Sequence, residues 1–197
     1  MRPDLAVVAG LIAPGSRVLD LGCGDGELLA HLIGDRGCSG SGIESSDDGF
    51  MACVSRGVPV LHADIDHGLS EVDDSSYDVV VLSQTLQAIR HPSLVVAELV
   101  RVGRTGIVSF PNFGHWRHRL MLGVRGRMPV SKALPYSWHE TPNIHLCTLR
   151  DFEALLRDTG VRATARILLD EAGGEASGAS RRPNLLAAGA VYVVGRG

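Results

Sequence analysis

The stretch Arg17-Val18-Leu19-Asp20-Leu21-Gly22-Cys23-Gly24-Asp25-Gly26 decides the fold. Val18, Leu19 and Leu21 make an apolar strand that runs straight into three glycines, and a helix-prone run from Glu27 to Ile33 follows at once. A strand, a glycine turn and a helix in that order let a ligand lie against bare backbone, because glycine has no Cβ and tolerates positive φ. The common occupant of such a turn is a dinucleotide pyrophosphate on the helix N-terminus. Two carboxylates oppose that occupant here. Asp20 stands two residues before the first glycine and Asp25 inside the turn. There they would repel a pyrophosphate and compete for the same N–H groups.

Those carboxylates suit a ligand with an α-ammonium and a sulfonium. S-adenosylmethionine carries both and has no phosphate. Asp20 with Gly22, Cys23, Gly24 and Gly26 therefore predicts S-adenosylmethionine, or its demethylated product S-adenosylhomocysteine, in preference to NAD.

Outward from this turn, strand-like and helix-like runs alternate as far as residue 110, the pattern of a parallel sheet with crossover helices. Strands are expected at Arg17–Leu21, Ser41–Glu44, Val58–His62, Tyr77–Ser83 and Gly106–Phe110, the last stopped by Pro111. The continuous β-branched core of Tyr77–Ser83 implies burial on both faces. Helices are expected from about Asp47 to Arg56 and from Pro92, near the first turn, to Val102. Beyond residue 147 come a helix at Leu149–Thr159 and strands at about Arg162–Leu169 and Leu185–Val194, the last broken by Gly189. The Gly-, Ala-, Ser- and Arg-rich link Glu171–Asn184 reads as a mobile loop.

A chain of 197 residues, 45% hydrophobic, fits one domain with an ordinary core. No apolar run approaches the roughly 18 residues of a membrane span. The apolar run Leu5–Ala13 reads as a helix with Leu5, Val8, Ala9 and Ile12 on one face, rather than as a secretion signal. None of the four cysteines forms a C-x-x-C pair, so neither zinc nor a disulfide framework is signalled, and reduced thiols in a cytoplasmic protein are expected.

The net charge of −3 hides an asymmetry: residues 111–150 sum to +5 and the remainder to −8. A cationic segment points to an anionic ligand or an acidic partner surface. The same region, about 112–147, breaks the alternation and reads as an insertion into a single domain spanning 1–197. Within it, His115–Val124 could form a short helix with Trp116 and Leu120 on one side.

Ligands of a doubly wound sheet bind at the carboxyl ends of strands. Glu44 ends the second strand about twenty residues after the glycine turn, where a carboxylate can accept ribose hydroxyls. Asp64 could accept the adenine amino group while the Ile65 backbone faces the ring nitrogen. Ser83 and Gln84 would lie near the methionine half of the ligand. Each has a plainer reading: a solvated acid opening a turn for Glu44, a loop-capping acid for Asp64, and hydrogen bonding of the following turn for Ser83 and Gln84.

The inserted segment holds His115, His118, His139 and His145, whose spacing fits no standard zinc pattern, so no metal is expected. Trp116, Arg117, Tyr136 and Trp138 have the composition of a binding interface, and a lid over the ligand is the competing reading. His115 belongs to the same set. Nucleic acid also takes arginines and aromatics, but the negative chain as a whole places it third.

Val-Leu-Asp-Leu-Gly-Cys-Gly-Asp-Gly, Gly-Ile-Glu and Asp64 resemble the class I S-adenosylmethionine-dependent methyltransferases over residues 15–110. That resemblance implies an α/β, Rossmann-like fold with a mostly parallel seven-stranded sheet and an antiparallel last strand. Four further motifs resemble the MetW methionine-biosynthesis proteins over nearly the whole chain. They are Met-Arg-Pro-Asp-Leu at the start, Leu-Ser-Gln-Thr-Leu-Gln-Ala-Ile-Arg-His-Pro at 82–92, Gly-Ile-Val-Ser-Phe-Pro-Asn-Phe-Gly-His-Trp-Arg at 106–117, and Met-Pro-Val-Ser-Lys-Ala-Leu-Pro-Tyr-Ser-Trp. Gly-Ile-Glu-Ser-Ser lacks the acid expected two residues after Glu44. This second resemblance implies a companion of homoserine O-acyltransferase. A methyltransferase acting on a small metabolite is the alternative. Methyl transfer needs mainly proximity and alignment, so the missing acid–base pair leaves both open. Ser83-Gln84-Thr85-Leu86 lacks the Asn/Asp-Pro-Pro-aromatic run of the amino-group methyltransferases, which argues against methylation of nucleic acid or protein amides.

Overall fold

The computed structural model describes residues 1–197. Its sheet follows from the strand runs in order. β1 (Arg17–Leu21), β2 (Ser39–Glu44), β3 (Val60–His62), β4 (Tyr77–Ser83) and β5 (Gly103–Pro111) pair in parallel, in the spatial order β3-β2-β1-β4-β5. The sheet is completed by β6 (Val161–Leu169) and β7 (Gly189–Arg196), with β7 inserted antiparallel between β5 and β6. The seven-stranded α/β sheet with an antiparallel last strand is therefore present. Strand order reverses at β1, whose neighbours are β2 on one side and β4 on the other, and a crevice opens beyond their carboxyl ends.

Seven helices flank the sheet: α1 (Pro3–Gly10), α2 (Glu27–Arg36), α3 (Asp47–Ser55), α4 (Pro92–Val102), α5 (Trp116–Arg125), α6 (Leu149–Asp158) and the single turn α7 (Pro183–Leu186). None is long and apolar enough to cross a membrane. Alternation along β4 shows how the core divides. Val79 and Val81 face a cluster with Val8 of α1 and Leu29 and Leu32 of α2; Val80 and Leu82 face a second cluster with Val96 and Leu99 of α4 and Phe152 of α6. Leu5, Val8, Ala9 and Ile12 are all buried, as their spacing predicts.

The capping residues of α6 explain its start. Thr148 Oγ1 accepts from the Asp151 N–H at 3.3 Å, and Asp151 Oδ2 accepts from the Thr148 N–H at 2.9 Å. The same helix sends Phe152 onto Phe110 and Tyr192, with ring centroids 4.7 and 4.9 Å apart.

Several boundaries differ from the sequence expectation: β2 begins at Ser39 rather than Ser41 and β3 at Val60 rather than Val58. β5 begins at Gly103, not Gly106, and includes Pro111 as its final residue. α1 ends at Gly10 rather than continuing to Ala13. Residues 185–188, expected in the last strand, are outside it: Pro183 opens the turn α7, and Gly189 begins β7 instead of breaking it. The cause is tertiary, since the buried Asn112 Nδ2 donates to the carbonyls of Asn184 (3.2 Å) and Ala187 (2.7 Å). The link before it carries a bridge between Leu169 and Glu175 and buries Ala179.

Candidate functional site

The glycine turn makes one wall of a cleft of about 550 Å³ beyond β1 and β4. Asp20, Gly22, Cys23, Gly24, Ser83 and Gln84 line it together, six of the ten residues the sequence assigns to a ligand. Gly22 has φ +71°, and a Cβ there would lie 2.5 Å from Thr85 Cγ2, so the turn needs glycine both for its backbone and for the approach of Thr85.

Asp20 is the chemical centre of this cleft. It is 3% exposed, and its Oδ1 has no hydrogen-bond partner. Burial, reinforced by the nearby Glu44 and opposed by Arg2, pushes its carboxyl up to about 7. A buried carboxylate without a partner is costly, and a cationic ligand group would relieve that cost. Asp25 behaves differently from the expectation that both acids face a cationic ligand. Its Oδ2 is 2.8 Å from Arg56 Nη2, and its Oδ1 accepts from the Glu27 N–H at 3.2 Å to start α2. Its charge is matched by Arg56, so the attraction for a cation rests on Asp20.

Glu44 ends β2 as expected and braces the turn. Oε2 accepts from the Gly24 N–H at 2.9 Å; Oε1 accepts from the Ser46 N–H (2.9 Å) and hydroxyl (2.7 Å). Glu44 does not itself line the cleft. Gly26 is the left-handed residue before α2 and does not line the cleft. Cys23 Sγ lies 3.6 Å from Cys53 Sγ, and burial raises both thiols, which keeps them protonated and unreactive.

Asp64 and Ile65 sit apart from the cleft walls. Asp64 is exposed, and its Oδ1 accepts from the Asp66 N–H at 2.9 Å, the loop-capping role; the Ile65 side chain is buried in the core. Ser83 and Gln84 are pinned by β5. Ser83 Oγ is 2.9 Å from Ser109 Oγ, and the Gln84 N–H donates to the Ser109 carbonyl at 2.9 Å. Gln84 has φ +55°, a strained value for a residue with a Cβ, held at a cleft wall.

Arg2, Leu5 and Thr85 also line the cleft and were missed as site residues. The motif Met-Arg-Pro-Asp-Leu at the start was the only signal for the first two. Its place over the cleft depends on the docking of α1 on α2.

The inserted segment splits in two. Its first part, α5, buries only His118, whose ring lies between the Asn112 carbonyl (Nδ1, 3.3 Å) and Ser131 Oγ (Nε2, 3.0 Å). His115 is buried beside it, and burial lowers the pKa of both rings. Trp116, Leu120 and Val124, spaced four apart on one helix side, all face solvent, with Arg117 packed on Trp116 and paired with Glu171. The second part lies differently: Lys132 and Tyr136 line a neighbouring cavity, while Trp138 is 74% exposed. Neither Trp116 nor Trp138 lines the cleft.

The chain matches the family model described as methionine biosynthesis protein MetW over residues 2–194. A bifunctional methionine biosynthesis protein MetXA/MetW of Rhodopirellula baltica is 34% identical over 205 residues, covering 100% of this chain and 33% of that protein. The chain thus spans about a third of that relative's length. A ubiquinone biosynthesis O-methyltransferase of Hahella chejuensis is 29% identical over 134 residues, which cover 64% of this chain and 56% of that enzyme. Among solved structures, S-adenosylmethionine-dependent methyltransferases share the fold. That of Archaeoglobus fulgidus has a TM-score of 0.71 at 15% identity, over 96% of this chain and 90% of its own. That of Mesorhizobium loti has a TM-score of 0.69 at 17% identity, over 97% and 96%.

Proposed function

We propose that this chain, which belongs to the MetW family of methionine biosynthesis proteins, binds S-adenosylmethionine in the cleft at β1 and β4 and acts as a companion of homoserine O-acyltransferase. The observation that carries the ligand is Asp20: a buried carboxylate with an unpartnered oxygen, set in a glycine-built cleft. These residues fit the ligand. Asp20 would face its cationic groups, Glu44 Oε2 its ribose, and the Gly22–Gly24 backbone its close approach. S-adenosylmethionine supplies a methyl group on a sulfonium when bound. Asp64 and Ile65 are retained as adenine contacts only through backbone or rearranged side-chain positions.

The partner reading is supported by α5. A helix that buries one histidine and turns Trp116, Leu120 and Val124 to solvent, among Arg117, Arg119 and Arg125, has the surface of a docking element. The Rhodopirellula relative, named a bifunctional methionine biosynthesis protein MetXA/MetW, carries a MetW part and a second part in one chain, which fits an association. A methyltransferase acting on a small metabolite is the second reading, favoured by the cavity that adjoins the cleft at Gln84.

The deciding experiment mixes the purified protein with the acyltransferase from the same organism. The reading expects a complex on gel filtration and an acylation rate that changes with the protein and again with S-adenosylmethionine. No complex together with an unchanged rate refutes the companion role.

A further inference from the structure

The second cavity, about 600 Å³, is within the size range of small-molecule sites and shares Arg2 and Gln84 with the cleft. It is assembled from distant parts of the chain. Gln87, after β4, closes one side: its carbonyl accepts from the N–H groups of Ile144 (2.8 Å) and His145 (2.9 Å), which tie the inserted segment down. Lys132 and Tyr136 of that segment also line it, as do Pro111 and Gly189 at the sheet edge.

One buried polar atom on these walls lacks a partner. Gln87 is 8% exposed; its Nε2 donates to the Gln84 carbonyl at 2.6 Å, but its Oε1 receives no hydrogen bond. A buried amide oxygen in that state calls for a donor. Beside it stands one charge without an ion pair, on an exposed side chain. Arg2 is paired with Asp4 at 3.4 Å and Glu171 with Arg117. Asp170 Oδ1 accepts from the N–H groups of Ala172 (2.8 Å) and Gly174 (3.1 Å). Lys132, the one lysine of the chain, has no carboxylate within ion-pair distance.

We infer that this cavity binds a small organic acid bearing a hydroxyl or amino donor, with its carboxylate at Lys132 and its donor at Gln87 Oε1. A lone anion leaves the Gln87 oxygen unmet, and a neutral polyol leaves Lys132 unmet. A molecule carrying both groups meets both. The inference deepens the second reading above, whose acceptor would sit in this same cavity, and its test is separable from S-adenosylmethionine binding because Lys132 and Gln87 do not line the cleft.

The test is calorimetry on the full chain without S-adenosylmethionine, using L-malate (hydroxy acid), L-serine (amino acid), acetate (charge alone) and glycerol (donor alone). At least one of L-malate and L-serine binds, on the order of tenfold or more tighter than acetate and glycerol. Which of the two binds identifies the donor. Lys132→Gln, a change at an exposed side chain, weakens that acid about tenfold or more. Gln87→Leu, checked for folding by circular dichroism, removes its advantage over acetate and leaves acetate binding as before. Binding persists in saturating S-adenosylhomocysteine. No binding of either acid at concentrations on the order of 10 mM, or an affinity indifferent to Lys132→Gln, overturns the inference. So does displacement by S-adenosylhomocysteine, which would place the acid in the cleft.

Discussion

The contact proposed between Asp20 and the cationic groups of S-adenosylmethionine ties ligand affinity to pH. In the free protein its carboxyl is raised to about 7 by burial and by Glu44. A ligand cation placed against it favours the ionised form, so binding below that pH must release a proton. The factor lost to protonation is 1 + 10^(pKa − pH), about elevenfold at pH 6 and about 1.3-fold at pH 7.5. Affinity therefore rises about eightfold across this interval, or about 1.2 kcal/mol. It levels off as the ligand's own α-ammonium begins to titrate near pH 8. Calorimetry at pH 6 in buffers of different ionisation enthalpy should show close to one proton released per ligand, about 0.9 from the same relation. Asp20→Asn keeps the shape and removes the buried charge, so the variant folds, binds more weakly at pH 7.5, and shows neither the slope nor the proton release. A wild-type affinity flat from pH 6 to 7.5 would refute the argument, as would an undiminished slope in Asp20→Asn.

Four further outcomes follow from the geometry. Glu44→Ala leaves the Gly24 N–H without its acceptor and removes the carboxylate proposed for the ribose, so it should weaken the ligand by about 1–3 kcal/mol in calorimetry; unchanged affinity removes Glu44 from the site. Gly22→Ala forces a Cβ to within 2.5 Å of Thr85 Cγ2 at φ +71°, so urea melts should show a loss of about 1–3 kcal/mol, and an unshifted midpoint would contradict that crowding. Trp116→Ala with Leu120→Ala changes exposed side chains, so stability and ligand affinity should hold while acyltransferase binding falls by about 2 kcal/mol or more; added salt should slow association through the neighbouring arginines, and retained partner binding would move the interface off α5. Burial lowers the folded-state pKa of His115 and His118 below the unfolded value near 6.5, so stability present above that pH is lost as pH falls from it toward the folded pKa. Urea midpoints in the Asp20→Asn background, free of the opposite slope that raised carboxyl contributes, should decline from pH 7.5 to 5.5, and a flat or rising profile would mean the rings do not titrate this way.

The sequence by itself marked the first and fourth strands and the glycine turn between strand and helix. β1 and β4 occupy the residues their apolar runs mark, because a strand buried on both faces leaves few other registers for Val79 to Leu82. Gly22, Gly24 and Asp20 were legible as cleft residues for a related reason: a close backbone approach needs a missing Cβ, and such a turn sits at a strand's carboxyl end. Asp25 shows where such reading stops. Its identity predicts an attraction for cations, yet Arg56, thirty-one residues away in sequence, takes that charge up. The same holds for α5. Periodicity places Trp116 and Leu120 on one side of a helix, but a period carries no sign, and the anchoring of His118 on Asn112 and Ser131 turned that side outward. Arg2 and Leu5 reached the cleft, and Gln87 and Lys132 came to share a cavity, only when α1 and the inserted segment docked on the sheet. Local patterns fix which residues form strands and turns, because backbone sterics and side-chain alternation act over a few residues. Which distant charges meet, and which are left without a partner, is set by packing over the whole chain.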